Sequence, residues 1–193
     1  WKNDERVYLD NQVRDPHLTK LDEGADPYDE ASYKKYTQNE YANDLIFDEM
    51  IQFVDQNKEQ PFFLLWTTPL PHVSLQAPEH WVKYYVNKFG DEEPYTGNKG
   101  YMPCRYPHAT YAAMISYFDE QVGKLVEKLK KEGLYENTLI IFTSDNGPTF
   151  NGGSDSPWFN SGGLFKSEYG WGKCFLHEGG IRIPAIVSWP GKI

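Results

Sequence analysis

Two apolar runs of strand length, each preceded by a helix-like pattern, most constrain the fold of this chain. The first run is FFLLWTT at 62–68, which is typical of a buried strand. The second is NTLIIFT at 137–143, which is apolar on both faces, as a central parallel strand is. A third buried strand is predicted in GGIRIPAIVSW at 179–189. Helices alternating with such strands favour an α/β fold with a mostly parallel sheet.

The helices are predicted from apolar residues at helical spacing. One helix is expected over 40–57 and a short one near 78–88. The clearest lies before the second apolar run, with lysines in its last turn and Gly133 as its C-terminal cap. Its apolar face comprises Ile115, Phe118, Val122, Leu125 and Leu129. Residues 1–39 are polar and turn-rich, which predicts an irregular excursion outside an α/β core at 40–193.

Composition and chain ends exclude several classes of protein. The 193 residues carry 28 acidic and 19 basic side chains, a net charge of −9, so a nucleic-acid partner is not expected. The longest apolar run is strand-sized, and no membrane span is expected. The chain begins at Trp1 without an initiator Met and ends in PAIVSWPGKI, which resembles a strand and turn. We therefore expect a piece of a longer protein, from which any signal peptide is missing.

A candidate metal site follows the second apolar run. The run continues directly into Ser144, Asp145, Asn146 and Gly147. In open α/β sheets, ligands bind at the carboxyl ends of strands. A carboxylate beside an amide oxygen suits Ca²⁺ or Mg²⁺. The same letters, Asp-Asn-Gly, also suit an ordinary turn.

Two further residues are candidates for binding and acid chemistry. His72 lies just after the first apolar run, beside the prolines at 69 and 71, and an imidazole there can serve as an acid or hydrogen-bond donor. Lys173 precedes the segment EGGIRIP at 178–184 and can act as a point charge for an anion. Taken alone, a histidine or lysine in a loop is more often simply solvated.

In order along the chain, these segments resemble the sulfatases of the alkaline-phosphatase-like superfamily, in particular the arylsulfatase branch. The segments that carry the resemblance are PFFLLWTTPLPHVSLQAPE (61–79), YAAMISYFDEQVGKL (111–125), NTLIIFTSDNG (137–147) and GKCFLHEGGIRIPAIVSWPG (172–191). The resemblance implies an alkaline-phosphatase-like, mostly parallel sheet sandwiched by helices, present here as a partial catalytic domain. The nucleophile-bearing N-terminal half and the C-terminal subdomain would lie outside this chain.

The resemblance also implies roles for individual residues. Asp145 and Asn146 correspond to ligands of a single divalent cation, usually Ca²⁺. Lys173 corresponds to the lysine that binds the sulfate and its bridging oxygen. His72 corresponds to the histidine that hydrogen-bonds the sulfate or protonates the departing alcohol. The implied substrate is a sulfated carbohydrate or aryl sulfate, and the implied location is exported: periplasmic, extracellular or lysosomal.

The chain departs from the sulfatase pattern at the nucleophile. Such enzymes use a formylglycine made from Cys or Ser in Cys/Ser-x-Pro-x-Arg, and this chain has no such motif. Around Cys104 the proline comes one position too late, so this thiol is expected to be inert. The formylglycine is expected upstream of Trp1, and the chain alone is expected to be inactive.

Several alternatives remain open from the sequence. One is a phosphodiesterase or phosphonate hydrolase of the same superfamily, although SDNG lacks the Asp-His pair that two-metal sites typically need. Another is a non-catalytic relative that binds sulfated glycans. Glu178 and Arg182 are expected to be structural, pairing with groups around the site. Aromatic and polar residues of the long loop before Lys173 are candidates for the substrate mouth: Ser154, Asp155, Trp158, Phe159, Tyr169 and Trp171.

Overall fold

The computed structural model of this chain describes residues 1–12 and 19–193. The excursion predicted over 1–39 is therefore described except for 13–18, and it contains a 3₁₀ helix at Glu30–Tyr36. The remaining elements of the described residues are four α-helices, a 3₁₀ turn and two strands. In chain order they are α1 (Ala42–Asn57), α2 (Glu79–Phe89), α3 (Pro107–Lys131), the 3₁₀ turn Tyr135–Asn137, β1 (Ile140–Thr143), α4 (Glu178–Ile181) and β2 (Ala185–Ser188).

The predicted long helix is confirmed as α3, which packs against α2 and α1. Pro107 lies in its first turn, where a missing N–H is tolerated. The Glu92 carboxylate caps this end by accepting the backbone N–H groups of His108 (2.8 Å) and Ala109 (3.0 Å). At the other end Gly133 adopts φ 71°, the left-handed conformation of a helix-terminating glycine.

The buried face of α3 agrees in part with the predicted one, since Leu129 is buried and Phe118 packs against the core as expected. Ile115, expected inside, is 44% exposed, whereas Tyr117 and Gln121 are buried. These two polar side chains are hydrogen-bonded, because Gln121 Nε2 donates to the Tyr117 hydroxyl at 2.6 Å and that hydroxyl donates to Asp44 of α1. Gln121 Oε1 has no partner among the described residues. Hydrogen bonding to partners distant in sequence thus determines which face is buried.

The main core lies between α3 and the turn-rich segment 70–104. It is built from aliphatic, aromatic and sulfur-containing side chains: Leu70, Val73, Leu75, Tyr95, Cys104, Tyr111, Met114 and Tyr117. A backbone bridge between Tyr95 and Cys104, with N–H to carbonyl distances of 2.8 and 2.9 Å, fixes one side of this core. Within the described residues, no helix is both long and apolar enough to cross a membrane.

The two strands pair antiparallel, which contradicts the prediction of a central parallel strand at 137–143. Ile140 pairs with Ser188, and Thr143 pairs with Ala185. The connection from Thr143 to Ala185 therefore begins and ends at the same end of the two-stranded ladder. It does not need to cross over the sheet, as a connection between parallel strands does. Apolar side chains on both faces do not distinguish a parallel strand from an antiparallel one, which is why the sequence pattern was misleading here.

The predicted strand at 179–189 is also shorter and more exposed than expected. Glu178–Ile181 forms the single turn α4, in which the N–H of Gly180 donates to the His177 carbonyl at 2.8 Å. The strand begins only after Pro184, which has no N–H for a ladder. The side chain of Ile186 in β2 is 62% exposed, so this strand is not buried.

Residues 62–68 are extended but have no ladder partner among the described residues. Burial alternates along this run, as in a strand. On the inner side, the Trp66 ring packs against Phe118 of α3, with 5.2 Å between ring centroids. On the outer side, Phe63 is 83% and Leu65 71% exposed. Only one face of this run is covered, contrary to the fully buried strand predicted.

Candidate functional site

Asp145 and Asn146 lie directly after β1, at the strand end where the sequence placed them. The Asn146 side-chain amide donates to the Gly147 carbonyl at 2.9 Å, so its Oδ1 is left as an acceptor. The Ser144 hydroxyl donates to the Asn146 carbonyl at 3.0 Å and holds the turn. The Asp145 side chain is exposed and makes no hydrogen bond or ion pair with any described residue.

Close backbone packing joins this turn to α4. The N–H of Gly147 donates to the Gly180 carbonyl at 2.9 Å. A Cβ on Gly147 would lie 2.1 Å from the Gly179 carbonyl oxygen. Any residue other than glycine at this position would therefore clash with the backbone of Gly179. Gly147 therefore allows the turn that presents Asp145 and Asn146 to pack directly against the backbone of Gly179.

Lys173 is joined to the same turn through its backbone. Its N–H donates to the Pro148 carbonyl at 2.9 Å. A Cβ on the preceding Gly172 would lie 2.7 Å from that same oxygen, so the two segments are in direct contact. The lysine side chain is half-buried and forms no ion pair with another described residue. The structure thus brings the backbones of 146–148 and 172–173 together.

His72 is exposed in the turn after the extended run 62–68. Its N–H donates to the Pro69 carbonyl at 2.7 Å, and its ring meets Tyr101 edge-on with centroids 5.9 Å apart. Its Nδ1 lies against the Val73 carbonyl, an acceptor, so Nδ1 carries a proton. Nε2 is the nitrogen left for a ligand.

The His72 turn contacts the loop that connects Asn146 to Lys173. Gly152 of that loop packs so closely that a Cβ would lie 2.7 Å from Val73 Cγ1. Its φ of 63° is a second reason for glycine at this position. All three predicted site segments are therefore linked through the loop 144–172, which we call the glycine-rich loop.

Glu178 and Arg182 pair with each other rather than with groups around the site. Arg182 Nε donates to Glu178 Oε2 at 2.6 Å, across one turn, and both side chains are exposed. The Arg182 guanidinium also lies 4.7 Å from the centre of the Phe165 ring. The predicted structural role agrees with this geometry, but the partners differ from those expected.

The six loop residues predicted to line a substrate mouth fall into two groups. Ser154 is buried and donates to the Thr149 and Asn151 carbonyls, and Phe159 packs on Tyr111 of the core. These two face the protein interior. The others are at least partly exposed: Asp155, Trp158, Tyr169 and Trp171.

One cluster near the glycine-rich loop was missed from the sequence. His108, in the first turn of α3, lies between two carboxylates: Nδ1 is 2.8 Å from Glu92, and Nε2 is 2.9 Å from Asp155. The Trp158 ring stacks on its imidazole, with centroids 4.2 Å apart and planes 6° from parallel. The partners are 16 and 47 residues away in sequence, so no local pattern signals the cluster.

Cys104 behaves as predicted for an inert thiol. It is buried, and burial raises the pKa of its thiol to about 11, so it is not a thiolate near neutral pH. Across residues 1–12 and 19–193 no group of three or more His, Cys, Asp and Glu side chains has the arrangement of a metal site.

Comparison with known proteins identifies the family. A profile described as Sulfatase matches residues 2–193, nearly the whole chain. The chain belongs to the sulfatase family. The resemblance that rested on SDNG and EGGIRIP is confirmed.

Two curated sulfatases illustrate how much of a relative this sulfatase chain spans. The N-acetylgalactosamine-6-O-sulfatase of Bacteroides thetaiotaomicron is 31% identical over 158 residues, which cover 81% of this chain and 27% of that protein. The N-acetylgalactosamine-6-sulfatase of Mus musculus is 27% identical over 173 residues, covering 86% of this chain and 27% of that protein. The chain thus spans little more than a quarter of these relatives.

Solved sulfatase structures share the fold. The crystal structure of Ps i-CgsB matches with a TM-score of 0.61 and 34% identity, covering 80% of this chain and 29% of that one. Its complex with k-i-k-neocarrahexaose matches with a TM-score of 0.60 and 35% identity, covering 79% and 29%. The alkaline-phosphatase-like α/β fold class is confirmed, although the two described strands pair antiparallel.

Proposed function

We propose that this chain forms part of the catalytic domain of an exported, metal-dependent sulfatase that hydrolyses sulfate monoesters on carbohydrates. Asp145 and Asn146 are ligands of one divalent cation, preferably Ca²⁺, and Lys173 and His72 bind the sulfate. Membership of the sulfatase family supports the reaction class. The names of the relatives, N-acetylgalactosamine-6-sulfatases among them, support a sulfated sugar as the substrate.

The observation that carries the proposal is the backbone contact between the two halves of the site. The Lys173 N–H donates to Pro148, two residues after Asn146. The residue that carries the ammonium group is thereby hydrogen-bonded to the segment that carries the oxygen donors for a cation. A cation and an ammonium group close together would suit a sulfate ester, whose oxygens gain negative charge in the transition state.

The donor chemistry at Asp145 and Asn146 fits a hard cation. Among the described residues, neither the Asp145 carboxylate nor Asn146 Oδ1 has a hydrogen-bond partner, and Asn146 Nδ2 donates to the Gly147 carbonyl. Ca²⁺ takes about six to eight oxygen ligands, so further donors must complete the site. A bound cation would polarise the sulfate oxygens and offset their charge.

His72 would serve the leaving group. Its Nδ1 proton is held by the Val73 carbonyl, so Nε2 is the nitrogen that can donate to the departing alcohol. This role requires the imidazolium form, because a neutral ring with its proton on Nδ1 only accepts at Nε2.

The proposal is tested on the protein from its native source, since the formylglycine motif is absent from this chain. Sulfate release from N-acetylgalactosamine 6-sulfate is measured with added Ca²⁺ and with chelator. Lys173→Ala and His72→Ala are each expected to lower kcat/KM by about 10²–10³. Asp145→Asn is expected to raise the Ca²⁺ concentration needed for half-maximal activity.

Matched control variants separate the site from general charge effects. Lys166→Ala changes a lysine of the same loop whose ammonium lies over the Trp171 ring, and His80→Gln changes an exposed histidine of α2. Both are expected to keep wild-type activity. Equal activities for Lys173→Ala and Lys166→Ala would refute the assignment of the sulfate-binding lysine.

Peptide mapping of the same sample by mass spectrometry decides the class of protein. A Cys/Ser-x-Pro-x-Arg peptide carrying an aldehyde would support the sulfatase mechanism. A Thr at that position would instead indicate phosphoryl transfer, and an inert residue a protein that only binds sulfated glycans. Sulfate release by the isolated 193-residue chain would refute the expectation that it is inactive alone.

A further inference from the structure

His108 is held by two carboxylates from different parts of the chain. Glu92 precedes α3 and contacts Nδ1 at 2.8 Å, while Asp155 of the glycine-rich loop contacts Nε2 at 2.9 Å. The Glu92 side chain is 9% exposed and that of His108 19%. Arg105, one turn earlier, is engaged with Asp91, and α2 contributes only the Phe89 ring through Trp158. Glu92 and Asp155 are thus the charged groups that face this imidazole from the described residues.

The two carboxylates determine which protonation state of the His108 imidazole this arrangement requires. Ionised carboxylates only accept hydrogen bonds, so satisfying both requires a proton on each ring nitrogen. A neutral ring has one N–H and leaves a lone pair against the second carboxylate. The geometry is therefore complete only with imidazolium, and loss of one proton breaks one of the two links.

Further contacts attach the middle of the glycine-rich loop at the same place. Trp158 stacks on His108 and meets Phe89 edge-on with centroids 5.3 Å apart. A Cβ on Gly153 would lie 3.0 Å from the Tyr95 ring. The loop segment 152–159 is thus attached to α2, α3 and the core. His108 connects the carboxylate of this segment, Asp155, to the Glu92 carboxylate.

The two ends of the same loop carry residues of the proposed site. Asn146 lies at its beginning, and Lys173 follows its last residue. The two ends are joined by the hydrogen bond from Lys173 to Pro148. Attachment of residues 152–159 therefore restricts the segment that connects Asn146 to Lys173.

We propose that His108 in its imidazolium form is a positioning residue that fastens the glycine-rich loop to α3 by linking Asp155 to Glu92, so that the order of the loop depends on pH. The role in catalysis, but not the link itself, rests on the sulfatase function proposed above. His108 does not touch the proposed substrate or cation ligands, and it acts through the loop.

The direction of the pH dependence follows from the environment of the ring. Burial lowers the pKa of His108, but hydrogen bonds and charge from Glu92 and Asp155 outweigh burial and raise this pKa above its ordinary value. A histidine whose folded-state pKa is raised stabilises fully below its ordinary pKa, and this contribution is lost as pH rises through the folded value. The loop is therefore expected to be most ordered at acidic pH.

Hydrogen exchange of the protein from its native source, followed by mass spectrometry between about pH 5.5 and 8.5, tests the link. After correction for intrinsic exchange rates, protection of peptides covering 152–159 is expected to fall as pH rises, by about tenfold for each unit of pKa shift. His108→Gln is expected to remove this dependence, leaving the peptides weakly protected throughout. His80→Gln is the matched control and should behave as wild type.

Asp155→Asn provides a variant that leaves the Glu92 cap of α3 intact. With one carboxylate removed, the peptides covering 152–159 should lose their protection at a lower pH than in wild type. A wild-type loop with pH-independent protection, or the same profile in His108→Gln as in wild type, would overturn the proposal. These readouts do not need activity: an absence of sulfate release by the protein from its native source, together with the expected exchange profile, would refute the proposed function and support the loop link.

Discussion

Gly179 is the position at which the packing of the candidate site is most sensitive to a single methyl group. A Cβ there would lie 1.7 Å from the Lys166 carbonyl oxygen and 2.9 Å from its carbon. Ordinary C···O contacts are about 3.3 Å or longer, so the two backbones would have to separate by about 1.6 Å. The Lys166 carbonyl belongs to the backbone, so it cannot avoid the clash by changing rotamer as a side chain can.

The expected cost of Gly179→Ala follows from these distances. Overpacking costs about 1–3 kcal/mol, and a clash with backbone falls at the upper end of that range. The backbone of Gly179 lies outside the left-handed region, and alanine in a helix would recover up to about 1 kcal/mol. We therefore expect a net loss of at least about 2 kcal/mol.

Urea unfolding of the 193-residue chain, followed by circular dichroism, measures this loss. With a slope of about 2 kcal/mol per molar urea, the midpoint should fall by about 1 M. Because the segment 144–181 can open locally, tryptic cleavage after Lys166 is followed in parallel and should accelerate. A local opening that is cheaper than the clash would appear as faster cleavage with a smaller change in midpoint.

Gly123→Ala is the matched control. Gly123 lies in the middle of α3, and a Cβ there would meet nothing within 4 Å. Replacing it should stabilise the chain by up to about 1 kcal/mol. If Gly179→Ala kept both the wild-type midpoint and the wild-type cleavage rate, the close packing of α4 on the loop would be wrong.

Two further predictions concern ionisable groups. At about pH 8 a thiol reagent should label exposed Cys174 and leave Cys104, with its pKa near 11, unlabelled until urea is added; fast labelling of both would contradict the burial of Cys104. Hydrogen bonds from Lys58 and Lys128 lower the pKa of Glu132 from 4.5 to about 2. This stabilisation is present above pH 4.5 and lost towards pH 2, so the urea midpoint of Glu132→Gln should decline less with acid than that of wild type. Equal declines of the urea midpoint in Glu132→Gln and wild type would refute this contribution of Glu132.

The helices were the most predictable part of the fold. Their periodicity and end signals are local, and the left-handed Gly133 that ends α3 could be identified from the sequence. The position of Asp145 and Asn146 at a strand end was predictable for the same reason, because an apolar run and the turn after it are contiguous. The family resemblance rested on these contiguous motifs and is confirmed by the match over 2–193.

Strand pairing was not predictable in the same way. The run 137–143 is apolar on both faces whether its neighbour runs parallel or antiparallel, and only the ladder with β2 distinguishes the two. The run 62–68 has a strand-like pattern of burial, yet a strand also requires a hydrogen-bonded partner. The pattern of apolar residues indicates which side chains are buried. Whether a neighbouring strand is present, and in which direction it runs, depends on the rest of the fold.

The contacts that join the candidate site were visible only in three dimensions. The junction of Pro148 with Lys173 and the placement of His108 between Glu92 and Asp155 connect residues 16 to 47 positions apart. Hydrogen bonds and backbone packing at such separations leave no periodic trace in the sequence. Local chemistry determined which side chains are candidates for binding a cation or a sulfate, and the tertiary packing of glycines and one histidine determined how the loop between them is held.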